Sequence, residues 1–543
     1  MKRPSFNPII TLSLSKKRYE SLGVLIERFT LPMIVLIMSV ISVFCFFYYL
    51  DNGLGLAYND ARSHLNIGRR VVEGLKPGLA QLGSVWLPLP HLLMVPTIWN
   101  DFMWHSGLSG ALQSMFSFVL TGYLIYRILE KINVPISGRI FGVLMFVLNL
   151  NILFLQSTAM TELLLIATMT AGVYELINYH QNQSLYSLIR SAFWVMLSTL
   201  IRYDGWFLFF YSTVLIVWHA WKKKGWGKSE GIFVFFCTLA GFGIFFWLLW
   251  NTLIFKDPLY FAFGPYSAHA QQTQLDEAGV LITKGDWRIS LITYWYALIF
   301  NSGTFSVLLG SIGAGLLLLD KKISIQTRIA TTALLAPLLF NILALYLGHS
   351  VLFVQGLNGD TWFNVRYGIT MMPSIAIYLG YLIYRLKPLR IVIIGLLLFT
   401  TFFHFTSADA VTIDDGRVGS SQKNVSEVSG WLRDNTSNEK GFILISAASH
   451  DAIIFSSGLP MKRFIHEGTG TYWESATSSP DRWARWIIMR TNDENDQTFK
   501  LVKKSGALYK YELMNSYPFA DIYQLKPEYM DILQTEPTLP KQR

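Results

Sequence analysis

Apolar residues in this chain come in blocks about as long as a bilayer is thick, and polar residues gather between the blocks. The first block runs from Phe29 to Leu50, close to the roughly 20 residues that one helix needs to cross the hydrocarbon core. Others follow at about 107–128, 140–158, 162–179, 188–201, 205–221, 231–255, 288–319, 327–347, 366–385 and 389–405. Counted together they predict about eleven transmembrane helices and a mainly α polytopic membrane protein. The first block is too long and too weakly terminated for a cleaved signal peptide, so it counts as a span.

Between the first two blocks, residues 51–105 make a loop unusually long for a membrane protein. Within it, Tyr58 to Arg70 reads as a helix opened by Asn59 or Asp60, with Asp60 and His64 four residues apart on one face. Lys76-Pro-Gly78 reads as a turn, and Trp86, Trp99 and Trp104 suit a segment lying in the headgroup layer. From about residue 406 the apolar blocks stop. There 424–434 reads as a helix, 441–446 as a buried strand, 482–488 as a further helix and 507–513 as a late strand. The expected organisation is a segment 1–28, a transmembrane part 29–405 and a C-terminal α/β domain 406–543.

Charge turns the pattern into a topology. Lys2, Arg3, Lys16, Lys17 and Arg18 precede the first span. Arg127 to Lys131, Lys222-Lys-Lys224, Lys321-Lys322 and Arg385 to Arg390 fall on that same side when the blocks are counted through. The positive-inside rule then predicts a multi-pass protein of the plasma or inner membrane, with a cytoplasmic N-terminus and an extracytoplasmic first loop and C-terminal domain.

Composition agrees. Of the 543 residues 52% are hydrophobic and only 15% charged, against roughly 25% charged in soluble domains. The net charge of +10 is accounted for by the clusters at span ends, so no nucleic-acid partner is implied. Both cysteines, Cys45 and Cys237, lie inside apolar blocks and imply no disulfide or metal framework.

Candidate chemistry collects at the external span edges. Asp60 sits in the first loop, and Glu162 in Ser157-Thr-Ala-Met-Thr-Glu162 at the start of a block. An acid at the lip of a span is costly unless it is paired or faces water, although a helix start also favours acids for structural reasons. Asp204 is read as the structural partner of Arg202 or as a cap. Arg366, in Trp362-Phe-Asn-Val-Arg-Tyr367, opens another block. It either snorkels to the surface or offers its planar fork to a lipid phosphate, with Tyr367 beside it as a further hydrogen-bonding group. His64 is a weaker phosphate contact, more in keeping with a polar loop residue.

The segment Asp60-Ala-Arg-Ser-His-Leu-Asn-Ile-Gly-Arg-Arg, the Glu162 corner and Phe363-Asn-Val-Arg-Tyr367 resemble GT-C fold glycosyltransferases. The resemblance is to the protein O-mannosyltransferase and aminoarabinose-transferase group. It departs from that group in having Ala61 after Asp60, where a second acid is common, and glutamate rather than aspartate at 162. What it implies is transfer of a sugar from a polyprenyl-phosphate donor to an extracytoplasmic acceptor, with inversion at the sugar carbon. Asp60 would be the general base. Glu162 would orient a substrate or hold a metal ion, and Arg366, Tyr367, His64 and Arg202 are the candidates for the donor phosphate. No tightly bound cofactor is implied, and a divalent metal ion is compatible with the pattern.

Two other classes fit about a dozen spans. A transporter or flippase of lipid-linked saccharides would place its ionisable residues near the midplane and often repeats its halves, and no repeat of fixed period is found here. A non-catalytic assembly subunit would not need Asp60 and Glu162 to converge. Their position relative to Arg366 is therefore the discriminating observation.

Overall fold

The computed structural model describes residues 13–264, 267–418 and 425–538. The first twelve residues of the expected N-terminal segment lie outside the described residues. A single helix, Ser13–Asp51, contains the first block. Met38, Ser42, Cys45 and Tyr49 are buried at helical spacing, whereas Leu36, Val40, Phe44 and Phe47 are exposed. One stripe packs on protein, and an equally apolar stripe faces outward, as a lipid-facing helix requires.

Among the described residues six helices are long and apolar enough to cross a membrane: Glu27–Asp51, Leu108–Lys131, Trp226–Phe255, Ile325–Tyr346, Val365–Arg385 and Lys387–Val418. The expected span 288–319 is two helices, Trp287–Ser302 and Thr304–Leu319, bent by 108° at Gly303. That glycine has φ +82°, which ends the first helix. The expected span 140–158 is likewise broken, into Ile136–Val147 and Leu150–Leu155, because the Asn149 side chain accepts from the Ile152 amide and starts a new helix. Glu162–Asn182 and Asp204–Lys224 are long but less apolar, and Leu185–Thr199 is short. Glu162–Asn182 is buried along nearly its whole length, so it forms the centre of the bundle and needs no lipid-facing stripe.

The expected helix 424–434 is found as Val425–Thr436. Beyond it lies a five-stranded sheet of β1 (Phe442–Ile445), β2 (Phe464–Ile465), β3 (Ala484–Met489), β4 (Tyr511–Ser516) and β5 (Asp521–Leu525), in the order β2-β1-β3-β5-β4. β1 is parallel to β2 and β3, and β5 is antiparallel to β3 and β4. The expected helix at 482–488 is instead mostly strand β3, preceded by the short helix Pro480–Trp483. Ala484-Arg-Trp-Ile-Ile-Met489 sits mid-sheet and is buried almost throughout, so its apolar run is that of a central strand.

The first loop docks on this domain. Asn66 donates to the Asp451 carboxylate at 2.9 Å, and Arg70 pairs with the same oxygen at 2.8 Å. Arg62 reaches Ser456 at 3.2 Å, and Gln81 reaches the Gly468 carbonyl at 2.7 Å. The chain between the two parts does not leave the bundle cleanly at residue 406. After the helix Arg390–Ser407, a short helix, Val411–Val418, packs back against Leu150–Leu155 and the 3-10 turn Val365–Met371.

Candidate active site

Asparagines brace the site before any charge is considered. Asn151 Oδ1 accepts from the Thr412 amide at 3.0 Å and from its hydroxyl at 2.8 Å. Asn149 and Asn151 both donate to the Asn301 carbonyl, at 2.7 and 3.1 Å, and Asn301 in turn donates to the Val365 carbonyl at 2.7 Å. These bonds tie the broken helix at 149–151 to the turn carrying Arg366 and to the helix carrying Asp415. Gly368 adds a close approach: a Cβ there would lie 2.4 Å from the Ala297 carbonyl oxygen.

On this frame Arg366 meets three carboxylates. Its Nη2 lies 2.5 Å from Asp60, its Nε 3.1 Å from Glu162 and its Nη1 3.6 Å from Asp415. Asp60 and Glu162 are 102 residues apart in sequence, yet they touch one guanidinium. Glu162 shares the same Oε1 with Arg202 at 3.3 Å, and Arg202 also pairs with Asp204 at 3.3 Å. The Tyr367 ring lies against both guanidiniums, 4.6 Å from Arg202 and 5.4 Å from Arg366. Tyr58 stacks on Arg366 at 4.8 Å and donates its hydroxyl to Asp415 at 3.0 Å. Burial, then the Asp415 charge, holds the Tyr58 phenol well above its usual range, so it remains a donor.

Exposure sorts the acids. The Glu162 and Asp415 side chains are 0% and 2% exposed and that of Arg366 6%, whereas Asp60 is 43% exposed. Asp60 occupies the first turn of the helix Asn59–Val72 without capping it, since the N-cap is Tyr58 and makes no side-chain cap. The carboxylate is therefore available to Arg366 on one side and to solvent on the other. Glu162 Oε2 is buried with no hydrogen-bond partner among the described residues. A cleft of about 440 Å³ is lined by Asn52, Gly53, Leu54, Ala57, Arg62 and Arg417.

His64 is turned elsewhere. Its Nδ1 lies 2.9 Å from His91 Nε2, and its ring packs 4.3 Å from Trp86. Burial, helped by the Arg202 and Arg366 charges, pushes its pKa down to about 3. A neutral imidazole brings no positive charge to a phosphate. Among the described residues no three His, Cys, Asp or Glu side chains are grouped to hold a metal ion.

No protein-family model and no curated protein matches the sequence. Solved structures do. The chain aligns with ArnT from Cupriavidus metallidurans bound to undecaprenyl phosphate over 91% of its own length and 98% of that chain, at 9% identity and a TM-score of 0.55. The apo state of the same protein aligns over the same shares at 8% identity and a TM-score of 0.53. The chain has the GT-C fold. Its GT-C bundle brings together Asp60, Glu162, Arg202, Arg366 and Tyr367 from the sequence-level candidates, and leaves His64 on a separate stack.

Asp415 and Tyr58 were not foreseen as members of the cluster. Asp415 lies past the last apolar block, where the chain already reads as the external domain, and only the packing of Val411–Val418 against the bundle brings it back. The adjacent pair Asp414-Asp415, so close behind a span, was the available signal. Asp204 does pair with Arg202, as read, and through Arg202 it also supports Glu162.

Proposed function

We propose that this chain is a membrane glycosyltransferase that moves a sugar from a polyprenyl-phosphate donor to an acceptor outside the cytoplasm, with Asp60 as general base. The observation that carries this reading is the asymmetry of the cluster. Three carboxylates converge on Arg366, and only Asp60 among them is open to an incoming acceptor.

The donor phosphate competes with Asp60 for Arg366 Nη2. When a phosphate oxygen takes that position, the Asp60 carboxylate is released toward the acceptor hydroxyl or amine. The acceptor atom attacks the anomeric carbon and its proton passes to Asp60. The bond from that carbon to the phosphate oxygen breaks, and its electron pair leaves with the polyprenyl phosphate. Phosphate is a good leaving group, so a single base suffices where glycoside hydrolysis needs two carboxyls. Arg366 meets charge that grows as the bond breaks. The unpartnered Glu162 Oε2 supports a role in accepting a hydrogen bond from a substrate hydroxyl.

In this reading eleven helical segments cross or re-enter the bilayer and the cluster faces the extracytoplasmic side. One attack on one face predicts inversion at the anomeric carbon. The test is mass analysis of lipid-linked sugars and surface glycans in cells lacking the protein. A polyprenyl-phosphate sugar should accumulate and a glycosylated product disappear, and restoration should require Asp60. A donor that piles up only on the cytoplasmic leaflet would identify a flippase and end the transferase reading.

A further inference from the structure

The central helix Glu162–Asn182 carries Glu162 at one end, and at the other end it carries His180 and Gln181, which line a second kind of site. Its 21 residues span about 30 Å, so this site lies a bilayer's thickness from the carboxylate cluster. Two cavities adjoin there. One, of about 550 Å³, lies between the start of Ile136–Val147 and the end of Met372–Arg385, and its cations are Arg139, Lys387 and Arg390. The other, of about 310 Å³, takes Lys131, Lys223 and Lys322. They share Asn133, which holds φ +60° at the end of the helix Leu108–Lys131.

No acid lines either cavity. Nearby carboxylates are already engaged: Glu27 and Glu130 hold Arg139 at 3.3 and 3.2 Å, and Asp320 lies 3.6 Å from Arg385. Among the described residues no carboxylate comes within ion-pairing distance of Lys387, Arg390, Lys131, Lys223 or Lys322. Arg139 differs from these cations in being fixed, since it is buried and its Nε donates to the Val134 carbonyl at 2.6 Å.

The surroundings distinguish a lipid from a free anion. Arg390 is followed by Ile391 and Val392, which are 79% and 68% exposed, and Lys322 stands between Leu319 at 76% and Ile325 at 56%. Concentrated charge at a rim above exposed aliphatic side chains matches a molecule with an anionic head and apolar tails. We propose that these adjoining cavities bind the phosphate headgroup of an anionic phospholipid, whose acyl chains lie along the aliphatic residues beneath it. Basic recesses between helices at a membrane face suit this chemistry, because several cations surround one anion where water is partly excluded. The site is separate from the Asp60–Arg366 cluster and holds whether or not the chain transfers sugars.

The test uses the full chain purified in neutral detergent and titrated with phosphatidylglycerol, phosphatidylcholine or inorganic phosphate. Bound lipid is counted by native mass spectrometry and stability is followed by thermal unfolding. Wild type should retain phosphatidylglycerol over phosphatidylcholine and be stabilised only by the former. Each cation removed should weaken retention about fivefold, so Lys387→Gln with Arg390→Gln should lose about twenty-five-fold. Lys462→Gln, an exposed site on the C-terminal domain, should change nothing. Equal retention of the two lipids by wild type overturns the proposal even if no variant folds. Equal retention by wild type and the double variant overturns it too, and equal stabilisation by inorganic phosphate reassigns the site to a free anion.

Discussion

Replacing Asp60 by asparagine separates three quantities that most active-site substitutions change together. The first is stability. The Asp60 side chain is 43% exposed, and an ion pair at that exposure contributes about 0–1 kcal/mol. Arg366 keeps Glu162 and Asp415 after the change, so the fold should hold within about 1 kcal/mol. The second is turnover. If Asp60 is the base as proposed, asparagine cannot take the acceptor's proton, and loss of a general base costs about a hundredfold or more, or about 2.7 kcal/mol of activation free energy. The third is donor affinity, and here the sign is unusual. In the proposed mechanism Asp60 and the donor phosphate compete for Arg366 Nη2, so removing the charge at 60 should tighten donor binding, by up to about fivefold if the pair contributes about 1 kcal/mol. The assay is donor binding by calorimetry in detergent alongside single-turnover release of polyprenyl phosphate. Turnover near wild type removes Asp60 from the chemistry. Weaker donor binding in Asp60→Asn refutes the competition, since Asp60 would then be helping to hold the donor.

Glu162→Gln should be mainly a stability variant. It strips one buried carboxylate from two guanidiniums, and breaking a buried pair costs about 3–5 kcal/mol. The lower end is expected because Arg366 and Arg202 retain other acids, and an unchanged denaturation midpoint would show that the shared carboxylate is dispensable. Gly368→Ala should lower both stability and turnover by forcing the Arg366 turn away from the Ala297 carbonyl, whereas Gly395→Ala, with open space around it, should change neither. If both variants match wild type in unfolding and rate, the close approach at Gly368 is not needed to position Arg366. The first loop should be acid-labile. With the His64 pKa held at about 3 against about 6.5 when unfolded, the unfolded chain binds more protons between those values. Stability from this group is complete above about pH 6.5 and falls as the pH drops toward 3. His64→Gln should flatten that part of the acid-unfolding curve, and an unaltered curve would rule out His64 as its source.

The helix at Asn59–Val72 and the meeting of Asp60, Glu162 and Arg366 were legible in the sequence because charge at the edge of an apolar block is conspicuous against so apolar a background. The breaks at Leu148–Asn149 and at Gly303 were not, since hydropathy averages over a window and a single capping asparagine or positive-φ glycine hardly moves the average. β3 was misread as a helix because Arg482 and Arg485 give a buried strand the look of an amphipathic turn. Asp415 was missed for a topological reason. Nothing local in Val411-Thr-Ile-Asp-Asp-Gly says that it folds back on Asn151, 261 residues earlier; that contact exists only in the assembled bundle.

The return of Val411–Val418 into the bundle bears on how chains of this fold can be recombined. A chimera joined at residue 406, where hydropathy draws the border, would carry a foreign residue at position 415 into the cluster and a foreign partner for Asn151. Joined after Val418, it would keep both with their own bundle and exchange only the sheet domain. The surface to match would then be the one that Asp451 and Ser456 present to Asn66, Arg70 and Arg62. The modular unit therefore begins after Val418, past Asp415 and its contact with Arg366.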